Sequence, residues 1–308
     1  FGAWAQSLTL FACFVITGYI CRSALLPFIT EIYSDNYPPD KRATYFSKPL
    51  LLSVGIAAFS GFIGSWVLEL DINNYHWLFT FLGFCAIAKA VAIFLMPSDP
   101  ILDTPHVNPF GNMKYVVQDK SFGYVLLTWF IMGFANLWTL PLRVDYVTAP
   151  EWGIEGSAIF VAMIITIIPE TMRMILIPYW ASLFDRMNFV VLRMILNLFF
   201  GLGVLLFFVT SNPLVIGLGS ALIGAAFAGG SIAWNLWVTK YAPPGKAGAY
   251  MSVHVSLTGI RGTIGPMLGY WTVGIIGAQN IGILSCAMMF FATLMLIPEI
   301  KHGRETNL

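Results

Sequence analysis

Three charged side chains stand in the middle of long apolar segments of this chain: Arg22, Glu170 and Arg261. An ionisable group at bilayer depth is costly, so it usually faces a partner or a water-filled cavity. Arg173 follows Glu170 by three residues, so the two share a helix face and can pair. We expect Glu170 and Arg173 to handle protons. We expect Arg22 and Arg261 to bind an anionic group, and the alternative is that these charges are static buried pairs that fix helix packing.

A second group of candidates combines an amide with aromatic rings. The segment LTWFIMGFANLWTLPLR at residues 127–143 places Asn136 and Trp138 two residues apart, with proline near its end. Aromatic faces next to amides suit stacking on a sugar ring or another organic solute. Asn136 and Trp138 are therefore predicted to bind substrate, and ordinary packing is the alternative.

The histidines and cysteines of the sequence form no recognisable catalytic or metal-binding motif. The four histidines are scattered, and the four cysteines lie inside apolar segments without the spacing of metal ligands. A histidine near a helix end is usually a packing residue, and we read His254 in that way, with a proton relay as the alternative. No metal, cofactor or enzymatic centre is expected, and no long basic run suggests nucleic acid as a partner.

The elements that must position these residues follow from composition. The chain is 58% hydrophobic and 10% charged, whereas a soluble domain carries about 25% charged residues. Its apolar blocks have the length that spans a bilayer core of about 30 Å. We predict an all-α polytopic membrane protein with nine transmembrane helices, at about 7–32, 47–69, 76–97, 121–143, 157–181, 190–210, 213–238, 249–274 and 278–298.

Lysines and arginines are concentrated in the loops at one end of these predicted helices. Eleven of the sixteen basic residues, Arg193 among them, are assigned to those loops and to the C-terminal tail. Such loops are cytoplasmic in most membrane proteins. The sequence therefore predicts a multi-pass protein of the plasma membrane (the bacterial inner membrane) with a cytoplasmic C-terminus, working as a monomer among lipids.

One stretch of the chain is repeated. Residues 38–66 align with 243–271 at a constant offset of 205, and eight of the paired positions are identical. Two halves in parallel orientation are a known transporter design. The repeat predicts a duplicated six-helix bundle of twelve helices, from which the first three are missing. The expected domains are the rest of an N-terminal lobe at 1–97, a cytoplasmic linker at 98–120, a C-terminal six-helix lobe at 121–302 and a tail at 303–308.

Two motifs resemble those of the major facilitator superfamily (MFS). The loop YPPDKRATYFS is similar to that family's connection between its fourth and fifth helices. The segment ASLFDRMNFVVLR resembles the family's Gly-x-x-x-Asp-Arg-x-Gly-Arg-Arg loop, matched at Asp185 and Arg186, with Ala181 and Asn188 in place of its glycines. The resemblance implies a two-lobe bundle around a central cavity, and it implies that Asp185 and Arg186 gate that cavity.

The expected function follows from the resemblance and the charged residues together. It is secondary active transport of a small organic solute, anionic or sugar-like, by alternating access and with a proton or sodium ion as the coupling ion. Two alternatives stay open: an exporter of the drug/proton antiporter type, and a receptor or scaffold of the same fold that transports nothing.

Overall fold

The computed structural model describes residues 7–97, 111–152, 154 and 156–304, and within these ranges the chain is helical without strands. Three long helices come first: α1 (Leu8–Asn36), α2 (Arg42–Leu70) and α3 (Tyr75–Phe94). The helices of the C-terminal part, here called the C-terminal bundle, are α4 (Tyr115–Gln118), α5 (Lys120–Thr139), α6 (Leu142–Thr148), α7 (Ala158–Ala162), α8 (Ile168–Arg186), α9 (Phe189–Phe208), α10 (Pro213–Leu236), α11 (Ala247–Ile276) and α12 (Ala278–Met295).

Side chains of Asp and Asn define several helix starts. The carboxylate of Asp119 accepts a hydrogen bond from the backbone N–H of Phe122 at 3.0 Å and so caps α5. Asn188 caps α9 in the same way, and Asn212 caps α10 directly before a proline. Such caps satisfy backbone donors that the first helical turn leaves free.

The predicted class is confirmed: the described chain is an all-helical membrane protein. Seven helical stretches in the described ranges are long and apolar enough to cross a membrane. They include neither α2 nor α11, so the predicted count of nine is not confirmed. In α11 the physical reason is plain, because His254, Arg261 and several glycines dilute its apolar residues.

The repeat is visible in the backbone. α2 begins after Lys41, whose φ and ψ are −131° and 10°, and α11 begins after Lys246, whose φ and ψ are −124° and 5°. Each lysine N–H donates to the carbonyl of the proline three residues earlier, at 3.1 and 3.0 Å. Related sequences therefore build the same helix start at both places.

The division into domains at 1–97, 98–120, 121–302 and 303–308 stays a prediction. Residues 98–110 and 305–308 lie outside the described residues. The end of the predicted linker forms a helical turn at Gly111–Lys114 followed by α4. Tyr115 of α4 stacks on Tyr250 of α11 with ring centroids 5.0 Å apart, so this part of the predicted linker packs on α11.

The C-terminal bundle has two apolar cores, one towards each end. We call the end that holds residues 37–42, 187–188 and 241–246 the basic end. The core near it is rich in aromatic residues, among them Phe122, Trp180, Phe184, Phe189 and Trp237. The other core contains Tyr146, Phe200, Phe207, Phe208 and Met289.

Two of the first three helices, α1 and α2, join this bundle at the basic end. α1 packs on α11 and α2 packs on α8. Ala43, Phe46 and Val54 of α2 belong to the aromatic core of the basic end, and all three lie in the first half of the helix. Among the described side chains of α1 only Thr30 is buried, and α3 has no buried residue. The described side chains of α1 and α2 that are buried therefore lie towards the basic end.

Candidate functional site

Asp185, at the end of α8, caps the start of α2. Its carboxylate accepts hydrogen bonds from the backbone N–H groups of Ala43 and Thr44, each at 2.8 Å, and from the Thr44 hydroxyl at 2.6 Å. The N-terminus of a helix carries free N–H groups and a partial positive charge, which favour an anion there. One carboxylate thus links two helices that are 141 residues apart in the chain.

Glu31, in the last turns of α1, does the same for α11. Its carboxylate accepts a hydrogen bond from the backbone N–H of Gly248. Gly248 lies 205 residues after Ala43 and is its partner in the repeat. Both copies of the repeated sequence are therefore helix starts held by a carboxylate from a helix packed against them. We call these two contacts the paired caps.

Basic residues surround the cap on α2. The Arg42 guanidinium donates to the carbonyls of Ser34 at 2.9 Å and Tyr37 at 3.2 Å, which fixes the loop between α1 and α2. Lys240 lies near Asp185. Arg186 is exposed, and no hydrogen bond or ion pair of its side chain is found in the described part of the chain. Of the predicted Asp-Arg pair, Asp185 makes the contact between helices, and the gating role of Arg186 stays a prediction.

Glu170 and Arg173 form the ion pair that their spacing predicts. Nη1 of Arg173 lies 2.7 and 2.8 Å from the two carboxylate oxygens of Glu170, and Nη2 lies 3.5 Å from the Ser231 hydroxyl of α10. The Glu170 side chain is 37% exposed and that of Arg173 is 22% exposed. A carboxylate so exposed can be reached from outside the bundle and is not sealed in the core.

The backbone is irregular directly before this pair. Residues Met163–Ile167 form a turn of π-helix, and the Ser220 hydroxyl of α10 donates to the carbonyl of Ile164. A side chain at Gly224 would overlap Pro169, so α8 and α10 approach closely just before the ion pair. Turns of π-helix often occur at functional positions because they reorient the residues that follow.

The three predicted midplane charges are not in contact with one another. Arg261 is 5% exposed, and its guanidinium donates to the Trp129 carbonyl and to the Thr258 hydroxyl at 3.2 Å. Arg22 is exposed and lines a shallow groove on α1 with Phe14, Val15, Gly18 and Tyr19.

Within the described ranges no hydrogen bond or ion pair joins Arg22, Glu170 and Arg261. Their roles in binding and coupling stay predictions.

Asn136 and Trp138 have partners within the bundle. The amide oxygen of Asn136 accepts a hydrogen bond from Nη2 of Arg143 at 2.7 Å. The indole N–H of Trp138 donates to the Thr272 hydroxyl of α11 at 2.9 Å. Both side chains are partly exposed, so each is held in place and still has surface to offer a solute.

Sequence reasoning missed a buried polar cluster in the C-terminal bundle. Arg193, which was assigned to a loop, lies inside α9 and is 2% exposed, and its guanidinium lies 3.5 Å from the centre of a Trp129 ring. His254 packs between Trp129, Trp234 and Trp237, with ring centroids 5.2 to 5.4 Å apart. One signal was available: Arg193 and Asn197 are four residues apart in an otherwise apolar segment and so share a helix face.

An all-helical bundle of long apolar helices, with an ion pair within them and carboxylate caps between packed helices, defines a polytopic membrane protein. The family model described as Major Facilitator Superfamily matches the chain over residues 1–262 and, in a second match, over residues 164–308. The chain therefore belongs to the major facilitator superfamily and is a membrane transporter. No curated protein matches it.

Proposed function

We propose that the protein is a secondary active transporter that moves a small organic solute across the plasma membrane by alternating access. In this proposal the basic end and the C-terminus are cytoplasmic, and the structure represents the state closed on that side. The paired caps are the observation that carries the proposal. They fasten repeat-related helix starts at one end of the bundle, which is where a gate between two lobes has to work.

The caps suit a gate because they are strong enough to hold and weak enough to break. A hydrogen bond to a charged group contributes about 1.5–3 kcal/mol. When the basic end opens, water can replace the carboxylate at the helix start, so the net cost is lower than the sum of the bonds. An equilibrium of a few kcal/mol is the range in which a bound solute or ion shifts populations.

Glu170 is the coupling residue in this proposal. Its carboxylate is paired with Arg173 and exposed enough for a proton to reach it. Protonation of Glu170 removes the charge that holds Arg173, whose guanidinium also lies beside Ser231 of α10. Proton binding would thereby free the Arg173 guanidinium to change its contact with α10. Sodium is the alternative coupling ion.

The solute is proposed to be anionic or sugar-like. Arg22 and Arg261 contribute positive charge with no acidic partner among the described residues. Asn136 and Trp138 contribute an amide and an aromatic face with remaining exposed surface. The grouping of Arg22 with the other three stays a prediction.

The test is uptake by the full-length protein in lipid vesicles. Radiolabelled monocarboxylates, uronates and neutral hexoses serve as probes, each with and without an inward proton gradient. We expect the gradient to drive accumulation of at least one probe. Glu170→Gln should lower this accumulation at least tenfold, since the proton site is lost, and Glu151→Gln is the matched control because Glu151 is an exposed carboxylate outside the ion pair.

Two outcomes would contradict the proposal. Gradient-driven accumulation that survives Glu170→Gln would remove the coupling role of that residue. Binding of a probe without any transport by the unmodified protein would instead indicate a receptor of the same fold.

A further inference from the structure

The buried polar cluster of the C-terminal bundle, formed by Arg193, Arg261, His254, Trp129 and Trp237, has an unusual balance of hydrogen-bond donors and acceptors. Three helices contribute to it, α5, α9 and α11, and Trp237 comes from the turn that directly follows α10. Trp129 connects its members: the Arg193 guanidinium lies 3.5 Å from the centre of a Trp129 ring, Arg261 donates to the Trp129 carbonyl, and the His254 ring lies 5.2 Å from a Trp129 ring. The cluster thus holds two buried guanidiniums that both contact Trp129.

Several donors in this cluster have no acceptor. Nε of Arg261 and the indole N–H groups of Trp129 and Trp237 are buried without a hydrogen-bond partner. Nε2 of His254 is also unpartnered, and in the tautomer with hydrogen on Nε2 it is a fourth free donor. Unpaired buried donors are rare in folded proteins because each costs about 1–3 kcal/mol. These donors are therefore available to a hydrogen-bond acceptor that is not part of the described chain.

The positive charge is likewise uncompensated. Nη2 of Arg193 contacts Sδ of Met132 at 2.9 Å, and Arg261 donates to a carbonyl and a hydroxyl. In the described part of the chain no carboxylate forms an ion pair with either arginine. Stacking on Trp129 offsets part of the desolvation cost of Arg193, but a cation–π contact contributes only about 2 kcal/mol when desolvated. Buried charges are otherwise paired.

We propose that this cluster is a binding site for a small monovalent anion, either an inorganic anion such as chloride or the carboxylate of an organic solute. An anion accepts hydrogen bonds from all sides and carries the charge that the arginines lack. The site shares Arg261 with the proposed solute-binding residues, so its carboxylate form rests on the proposed function, whereas its inorganic form does not; none of its residues belongs to the Glu170–Arg173 pair or makes a hydrogen bond of the paired caps.

Gly133 gives this site a sharp test. A side chain added at Gly133 would overlap the Arg261 guanidinium, so α5 needs a glycine there for Arg261 to reach its place. Gly133→Ala displaces Arg261 without removing any charge. Gly259→Ala is the matched control, because nothing lies within 4 Å of a side chain added there. Arg261→Lys is a second variant that keeps the charge and loses the Nε donor.

The experiment is thermal unfolding of the purified full-length protein at constant ionic strength. Sodium gluconate, whose anion is too large for a closed site, is replaced stepwise by sodium chloride in one series and by sodium formate in another. We expect the unfolding midpoint to rise saturably by about 3 °C with at least one of the two anions. The rise should persist in Gly259→Ala and be lost in Gly133→Ala and in Arg261→Lys.

The two series separate the two sources of the anion. Saturation by chloride alone indicates a resident inorganic anion, and saturation by formate alone indicates a carboxylate of an organic solute; both support the site. The proposal is overturned if neither anion shifts the midpoint, or if the variants and the control shift equally. If the Gly133→Ala protein does not fold, the anion-dependent shift of the unfolding midpoint is compared between Arg261→Lys and Gly259→Ala, and that comparison tests the site. None of these results depends on uptake, so the anion site and the transport proposal can fail separately.

Discussion

The starts of α2 and α11 come from one repeated sequence and differ in how they are held. At α2, Asp185 binds two backbone N–H groups and the Thr44 hydroxyl. At α11, Glu31 binds one backbone N–H, that of Gly248. The residue that corresponds to Thr44 is Ala249, which offers no hydroxyl. The first cap therefore makes three hydrogen bonds and the second makes one.

Tyr45 and Tyr250, which occupy equivalent positions of the repeat, also differ in how they are held. Tyr45 of α2 is exposed, whereas the hydroxyl of Tyr250 in α11 donates to Asp119 at 3.0 Å and its ring packs on Phe122. Ser252 of α11 also accepts a hydrogen bond from Asn112 at 2.9 Å. The start of α11 is thus anchored inside its own bundle and needs little help from Glu31. The start of α2 depends on Asp185, so we expect the two caps to contribute unequally.

The largest effect is expected from Asp185→Ala. Losing three hydrogen bonds, two of them from a helix N-terminus, should favour opening of the basic end by about 2 kcal/mol, or roughly 30-fold. A cysteine at Ser47, which is buried in α2, reports opening through its rate of reaction with a maleimide, after the exposed Cys13, Cys21 and Cys85 are replaced by serine.

The control for that experiment is Asp40→Asn, which removes an exposed carboxylate near the same end. An equal rate in Asp185→Ala and in Asp40→Asn would show that the cap does not hold the basic end.

Glu31→Ala should have a smaller effect in the same assay. Only one hydrogen bond is lost, and α11 keeps its anchors to Asp119 and Asn112. We expect about 1 kcal/mol, or roughly a fivefold faster reaction of the cysteine at position 47. If Glu31→Ala equals or exceeds Asp185→Ala, the proposed asymmetry between the caps is wrong.

Gly248→Ala tests the fit of α1 against α11. A side chain at Gly248 would lie 3.0 Å from the Pro27 carbonyl oxygen and 3.2 Å from Oε2 of Glu31, so α1 has to shift by a few tenths of an ångström. The corresponding residue of α2 is already alanine, at position 43. We expect a roughly threefold faster labelling, while Gly259→Ala stays at the unmodified rate; no difference between the two would mean that α1 adapts without cost.

The smallest effects are expected when the Thr44 hydroxyl is removed or copied. Thr44→Ala leaves Asp185 with its two backbone donors and should speed labelling about twofold. Ala249→Thr gives the start of α11 the hydroxyl that α2 has. In a chain that keeps Glu31, this substitution should slow labelling by a similar factor. Ala249→Thr in a Glu31→Ala chain is the control, where the hydroxyl has no carboxylate to bind and labelling should not slow.

The fold class and the repeat could be predicted because they depend on local features of sequence. Long apolar segments require helices in a bilayer, and a repeated Pro-Pro-x-Lys motif gives the same helix start twice. The pairing of Glu170 with Arg173 and the link from Asp185 to another helix could also be predicted, the first from spacing and the second from the motif that carries Asp185. The contact of Glu31 with α11 was not predicted, because a single glutamate near a helix end belongs to no sequence motif from which its hydrogen-bond partner could be inferred.

The position of Arg193 and Arg261 could not be read from the sequence for a related reason. Depth along a helix can be counted, but the direction of a side chain around the helix axis depends on the neighbours that pack there. Gly133 leaves room for Arg261 from a helix more than a hundred residues away, and Trp129 covers Arg193. Contacts of this kind are set by tertiary packing, so Arg193 was assigned to a loop, and neither Gly133 nor Trp129 could be named from the sequence as a neighbour of these arginines.

The most direct test of the gate is a distance measured at the end opposite the caps. Spin labels at Asp71, which ends α2, and at the exposed Glu151 lie at that end, and the distance between them can be followed by electron paramagnetic resonance in lipid vesicles. If the paired caps hold one end closed while the other is open, the Asp185→Ala, Glu31→Ala double variant should shift the distribution to shorter distances, with Asp40→Asn unchanged. A distribution that stays the same in the double variant would contradict the account.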